Sequence, residues 1–173
     1  MKLVHWLRFS WDLAKLPEPR NTLEPHYRVR MATRDEAETV HHVVMSAFAL
    51  DSAWADTLKS VRDWLEAQLE GVFSHKGVQC LVITHGTRII AASALDPDPA
   101  ATTHLLTGPC ILSEYGNRGL GSALLYQSLL ALKEAAVEQA RGITKENVPA
   151  AKFVYTKFNS TSEPVEFEPE LVA

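Results

Sequence analysis

Apolar positions recur along the chain with two different periods, and each change of period marks a change of element. "YRVRM" (Tyr27–Met31) alternates polar and apolar residues as a half-buried strand does. The spacing then lengthens: Val40, Val43, Val44 and Phe48 recur at helical intervals. Thr33, with Glu36 three positions on, forms a capping-box signature ahead of them, so a first helix is expected to end near Ala49. Val61, Trp64, Leu65, Leu69, Val72 and Phe73 make one stripe of a second helix, with Gly77 just past its end. "VQCLVIT" and "RIIAASAL" are β-rich runs joined by "HGT", which predicts a hairpin through Gly86.

After the loop "DPDPAATT", "HLLTGPCILS" reads as a fourth strand, interrupted at Gly108-Pro109 because proline cannot donate to a ladder. A glycine-rich segment follows, then a helix to about Ala135. "VEQARGIT" reads as a strand, and "VPAAKFVYTKF" as a short helix with Pro149 in its first turn. "EPVEFEPEL" supplies a last strand. The order β-αα-βββ-α-β-α-β places the chain in the α/β or mixed α+β class, with a central mixed sheet flanked by helices on both faces. Residues 1–26, with three prolines and Trp6 and Trp11, read as a leader (a short strand or helix plus linker) packing on a domain that spans 27–173.

Composition narrows the picture little. At 173 residues, 46% hydrophobic and 22% charged, the chain suits one domain with a real core. A net charge of −4 argues against a nucleic-acid partner, which calls for a basic surface. Cys80 and Cys110 sit in apolar runs without CxxC spacing, so buried thiols in a reducing cytoplasm are expected rather than a disulfide framework or zinc site. His41 and His42 are adjacent and point about 100° apart on a helix, so no metal is expected there. The N-terminal stretch is no signal peptide, and "GLGSALLYQSLLAL" falls short of the roughly 20 apolar residues of a membrane span.

The candidate chemistry lies in "SEYGNRGLGSALL" (Ser113–Leu125). A helix N-terminus exposes unpaired N–H groups and the positive end of the macrodipole, and glycines let an anion reach the backbone. Arg118 adds a cation beside Gly116, Asn117, Gly119, Leu120, Gly121 and Ser122. No lysine follows Gly121, so the P-loop pattern fails, and the spacing does not match the dinucleotide fingerprint.

The segment resembles the acetyl-CoA-binding signature of the GNAT (GCN5-related N-acetyltransferase) superfamily, [R/Q]-x-x-G-x-[G/A]. Gly119 and Gly121 match the last two signature positions, and Gly116 stands where arginine or glutamine is usual. "GITKENVPAAKFVYTKF" carries the asparagine, short helix and tyrosine that follow in that family, with Tyr155 eight residues after Asn147 instead of seven. The resemblance runs from Tyr27 to Phe167; the C-terminus is short for the family, and the first 26 residues lie outside its usual core.

The resemblance implies direct attack of an amine on acetyl-CoA in a ternary complex. It implies two parallel strands that splay apart, with the pantetheine arm on the main chain of Ile111, Leu112 and Ser113, and Asn147 also on the cofactor side. Tyr155 matches the tyrosine that donates a proton to the departing thiolate. Glu114 is a candidate general base. Asp51 and Trp54 could hold a cationic amine by charge and ring face, with His104 reaching the acceptor side. The expectation is a cytoplasmic N-acetyltransferase with an unidentified amine acceptor, no metal, no nucleic-acid or membrane partner, and a homodimer as a candidate assembly. The alternatives are another acyl-CoA donor, a catalytically silent CoA-binding module, or an interaction protein docking through Trp6 and Trp11.

Overall fold

Two antiparallel sheets carry the fold. A computed structural model describes residues 4–18 and 23–167. Its elements are β1 (Trp6–Asp12), β2 (Tyr27–Met31), α1 (Ala37–Ala49), α2 (Leu58–Ser74), β3 (Cys80–His85), β4 (Arg88–Ala94), β5 (Cys110–Ile111), α3 (Leu120–Glu134), β6 (Gln139–Lys145), α4 (Pro149–Phe153) and β7 (Thr161–Val165). One sheet has the order β2-β3-β4-β5 and the other β6-β1-β7. The expected single mixed sheet is therefore corrected to two, and the expected order gains β1 at its head. The last strand begins at Thr161, and residues 168–171 of the stretch expected to form it lie outside the described residues.

The four-stranded sheet forms from strands that follow one another in the chain. β3 and β4 pair across a two-residue turn in which Gly86 has φ +61°, as the "HGT" spacing predicts. Nearly every residue of both strands is buried, so both faces are covered. α1 packs on β4 through Val40, Val43 and Val44. α3 contributes the fully buried Leu124, Leu125, Leu129 and Leu132. Ser128 on the same helix avoids a buried-hydroxyl penalty by bonding Ser93 Oγ at 3.0 Å and the Leu124 carbonyl at 2.8 Å. Ahead of α1, the Thr33 N–H donates to Glu36 Oε1 at 2.9 Å, and the Arg30 fork grips both Glu36 oxygens at 2.7 Å. That bidentate grip holds the Glu36 carboxyl down to about 2.

α2 buries the stripe Val61, Leu65, Leu69, Val72 and Phe73. Gly71 interrupts the same helix, although a Cβ placed on it would meet nothing within 4 Å. Relative to alanine, an interior helix glycine costs about 1 kcal/mol.

The second sheet forms from distant parts of the chain. β1 lies at its centre, antiparallel to β6 from Trp6↔Lys145 to Asp12↔Gln139 and to β7 from Trp6↔Val165 to Ser10↔Thr161. Successive side chains of a strand face opposite sides. Phe9 and Trp11 therefore share the face that meets Tyr155, with ring centroids 5.4 and 5.9 Å from it. Trp6, on the other face, meets Phe167 at 5.0 Å and Trp54 at 6.1 Å. The N-terminal segment thus supplies the middle of a sheet.

Candidate functional site

The two sheets meet at Leu105 and part from there. Leu105 bridges Leu95 on the first sheet and, in parallel sense, Gly142 on β6. A Cβ on Gly142 would lie 3.0 Å from Leu105 Cδ1 and 3.1 Å from its Cβ, so a larger residue there would have to push Leu105 aside. Beyond Leu105 the chain turns at Gly108 (φ +66°), and Pro109 has no N–H for a ladder. The expected fourth strand consequently shortens to Cys110–Ile111. β5 bonds β4 on one side, at Ala91↔Ile111 and Ala92↔Cys110, while β6 takes β1 as its partner. Two strands running the same way meet at Leu105–Gly142 and then diverge towards Ile111 and Lys145.

Tyr155 stands at this divergence. A Cβ on Gly108 would lie 1.8 Å from the Tyr155 hydroxyl, so the phenol occupies the space that glycine leaves free. Burial, and then the neighbouring Cys110, push the phenol pKa well above the ordinary tyrosine value, so it stays protonated. The ring is fixed by Phe9 and Trp11, and the Trp11 indole N–H donates to the Lys157 carbonyl at 2.9 Å. Burial likewise pushes the thiols of Cys80 and Cys110 up to about 12, so both remain thiols, and neither is in a disulfide.

The glycine segment follows β5. Ser113–Tyr115 form a tight 3-10 turn closed by the Gly116 N–H on the Ser113 carbonyl at 3.1 Å. Asn117 (φ +60°) and Gly119 (φ +75°) then reverse the chain into α3. No side chain caps that helix. Its first-turn N–H groups, on Leu120, Gly121 and Ser122, therefore have no side-chain acceptor at the cap. A Cβ on Gly121 would face Val154 Cγ2 at 3.6 Å and Ile111 Cγ1 at 4.0 Å, which places the first turn between β5 and the end of α4.

The nearby cations divide in a way the sequence does not show. Arg118 donates to the Tyr27 hydroxyl at 3.0 Å and to the Glu114 carbonyl at 3.4 Å, and lies 5.2 Å from the Tyr115 ring centre. It ties the loop to β2. Lys157, beyond α4, donates to Ser122 Oγ at 2.8 Å and brings its ammonium to the first turn of α3. Nothing around Lys157 in the sequence marks it, because its partner lies 35 residues away on another element.

The other candidate residues are dispersed. Ile111 is half-buried, Leu112 buried and Ser113 exposed. Glu114 is exposed and ion-paired to Arg88 at 3.0 Å, at the hairpin end of the first sheet. Asn147 occupies the turn after β6 with φ +67°, a conformation asparagine tolerates. Asp51 accepts from the Ala53 N–H at 3.0 Å and so caps a short turn, Ser52–Trp54. Trp54 is buried against Phe48 at 4.8 Å. The cation over its face, 6.0 Å from the ring centre, is Lys145, which also donates to the Ala53 carbonyl at 2.7 Å and pairs with Asp56. His104 is fully buried, and both ring nitrogens are engaged: Nδ1 accepts from the Arg141 N–H and Nε2 donates to the Asp98 carbonyl, each at 3.1 Å. Burial lowers its pKa, keeping it neutral. Among the described residues no group of three or more metal-binding side chains gathers, and no helix is long and apolar enough to cross a membrane.

No family model matches the sequence, and no curated protein does. Solved structures do. A GCN5-related N-acetyltransferase from Sphaerobacter thermophilus superposes with a TM-score of 0.63 at 12% identity, over 94% of this chain and 50% of that one. The GCN5-related glucosamine N-acetyltransferase region of a fungal multi-domain GH3 β-N-acetylglucosaminidase gives 0.60 at 16% identity, over 93% of this chain and 20% of that one. A GCN5-related N-acetyltransferase from Kribbella flavida gives 0.57 at 11%, over 94% and 56%. The chain thus spans about half the length of two of these structures and a fifth of the third. At such identities the likeness speaks for architecture, and the architecture of this chain is that of the GNAT acetyltransferases.

Proposed function

We propose that the chain is an N-acyltransferase moving an acetyl group from acetyl-CoA to a primary amine by direct attack. The observation that carries this reading is the uncapped start of α3, with the Lys157 ammonium beside it, at the mouth of two diverging strands. The residues suit the co-substrate. Backbone N–H groups of Leu120, Gly121 and Ser122, with Lys157, match a diphosphate in charge and hydrogen-bonding sense. The main chain of Ile111–Ser113 suits the amide groups of a pantetheine arm. Lys157 takes the part of the cation missing at Gly116, and Arg118 braces the loop against Tyr27.

In the transfer, the amine lone pair forms the new C–N bond, the C–S bond breaks with its electron pair going to sulfur, and the proton lost by nitrogen passes through water to the CoA thiolate. Holding both reactants in one wedge supplies much of the acceleration. Tyr155 stands where a departing sulfur needs a donor. A thiol has a pKa of ~8.5 and a free phenol ~10, and burial lifts Tyr155 further. Full proton transfer from phenol to thiolate is therefore uphill, so Tyr155 acts by donating a hydrogen bond to the sulfur. Glu114, tied to Arg88, stays with the loop in this reading, and His104 stays with the scaffold. The two buried free thiols suit a reducing compartment, the cytoplasm.

One observation favours a second reading, a CoA-binding module without transfer: the cation position over Trp54 is filled by the chain's own Lys145. Thiol release from acetyl-CoA with a panel of amines separates the two. The transferase should release CoA thiol with at least one amine and slow about tenfold as Tyr155→Phe. Calorimetric CoA binding without release would support the silent module, and absence of CoA binding would remove both readings.

A further inference from the structure

We infer that the end of the four-stranded sheet away from the glycine segment holds a second binding site, for a small organic cation with an apolar body. The hairpin end of β4 carries Arg88, which faces Glu114 beside that segment. β4 then runs seven residues away from it to Ala94, roughly 20 Å at 3.3 Å per residue. There the last turns of α2, the start of β3 and the chain after β4 enclose a cleft of about 580 Å³. Val72, Leu95, Pro97 and Leu106 supply apolar walls, and Asp96 and Asp98 supply charge. The lining contains no lysine or arginine, and His75 is its one other titratable side chain.

The acidic side of this cleft is held in place before any ligand arrives. The Asp96 N–H donates to the His104 carbonyl at 2.9 Å, and His104 Nε2 donates to the Asp98 carbonyl at 3.1 Å. The Asp96 and Asp98 carboxylates each accept one backbone N–H, at 3.0 and 2.9 Å. That leaves one oxygen of each carboxylate without a partner among the described residues. The buried neutral histidine thus fixes the loop that carries both charges.

Gly71 supplies an independent reason to regard the cleft as kept open. It weakens the helix it sits in, and no protein atom lies near enough to require it. It borders the cleft, and so does Gly77, whose Cβ would meet only Gln79 Nε2, at 3.9 Å. Any larger side chain at Gly71 would project into the cleft. An open, mainly apolar cleft of this volume with two fixed carboxylates on its rim suits a primary ammonium on an aromatic or aliphatic body. Binding here does not depend on the transferase reading: the cleft lies beside Leu106, next to the point where the two strands meet, and away from the glycine segment of residues 116–122.

Tryptamine is a suitable probe, with tryptophol and indole-3-propionate as neutral and anionic counterparts, titrated into the ¹⁵N-labelled full chain. Tryptamine should shift the Gly71 and Gly77 amide signals saturably and bind at least tenfold more tightly than either counterpart. Gly71→Leu installs a better helix former and should abolish the shifts while the melting temperature holds or rises. Asp96→Asn with Asp98→Asn keeps a side-chain oxygen to accept each backbone N–H, removes the charge, and should weaken binding tenfold or more. The inference is overturned if indole-3-propionate binds as well as tryptamine. It is equally overturned if Gly71→Leu leaves the affinity unchanged, or if the shifts fall on residues 116–122 instead.

Discussion

The two sheets reach the same end by different routes. In the first, β3 and β4 are joined by a two-residue turn, and a helix pair precedes them, so most contacts follow local order. In the second, the central strand comes from residues 6–12 and its neighbours from residues 139–145 and 161–165. The first sheet can form before the chain is finished, whereas the second cannot exist without β1. The wedge between them therefore has one wall made locally and one made by long-range closure.

The largest expected effect tests the long-range wall. Trp11 is fully buried, packs on Tyr155, and bonds the Lys157 carbonyl. Trp11→Ala should lower stability by about 3–5 kcal/mol in urea denaturation. A loss below about 1 kcal/mol would make β1 an ornament of the fold, and the contrast between the sheets would collapse. Next comes the join. Gly142→Val should cost about 1–3 kcal/mol through overlap with Leu105, and Leu105→Ala in the same chain should recover part of it. Additive losses would mean that the two backbones do not meet as described.

Smaller effects sharpen the comparison at the site. Lys157→Met should weaken CoA binding about tenfold, or ~1.4 kcal/mol, and leave binding of pantetheine, which has no diphosphate, unchanged. Equal losses for both ligands would move Lys157 off the diphosphate. The smallest effect belongs to the first sheet alone. The folded Glu36 carboxyl lies at about 2 against an ordinary value of 4.5, so its stabilisation is fully present above pH 4.5 and disappears as pH falls towards 2. Arg30 is partly exposed, so screening reduces the effect to about 1 kcal/mol. The stability difference between wild type and Glu36→Gln, measured from pH 6 to 2, should shrink over that window. A flat difference would detach Glu36 from the ion pair.

Legibility in the sequence follows the same division. The stripes of α1 and α2, the Gly86 turn and the glycine approach to α3 are local, and short spacings display them. The place of β1 was not legible, because "WLRFSWD" contains nothing that names residues 139–145 and 161–165 as its partners. The mixed-sheet expectation failed at Gly108-Pro109, where a left-handed turn and a missing N–H cut a ten-residue strand pattern down to two residues. At the site, Gly119 and Gly121 announce themselves, while Lys157 reads as one more surface lysine until the fold brings it to Ser122. The partners of His104 are main-chain atoms of Asp98 and Arg141, and no side-chain motif encodes those. Lys145 over Trp54 is a third case: a cation–ring pair visible only once β6 lies beside the α1–α2 connection.

The central position of β1 also has a consequence for synthesis. Asp12 leaves the ribosome roughly 130 residues before Gln139, its pairing partner. At 5–20 residues per second the strand waits on the order of ten seconds. Throughout that interval two tryptophans and a phenylalanine have no sheet to join. A nascent chain stalled before residue 139 should therefore recruit a holdase chaperone to residues 6–12, and release it once residues 139–165 are made.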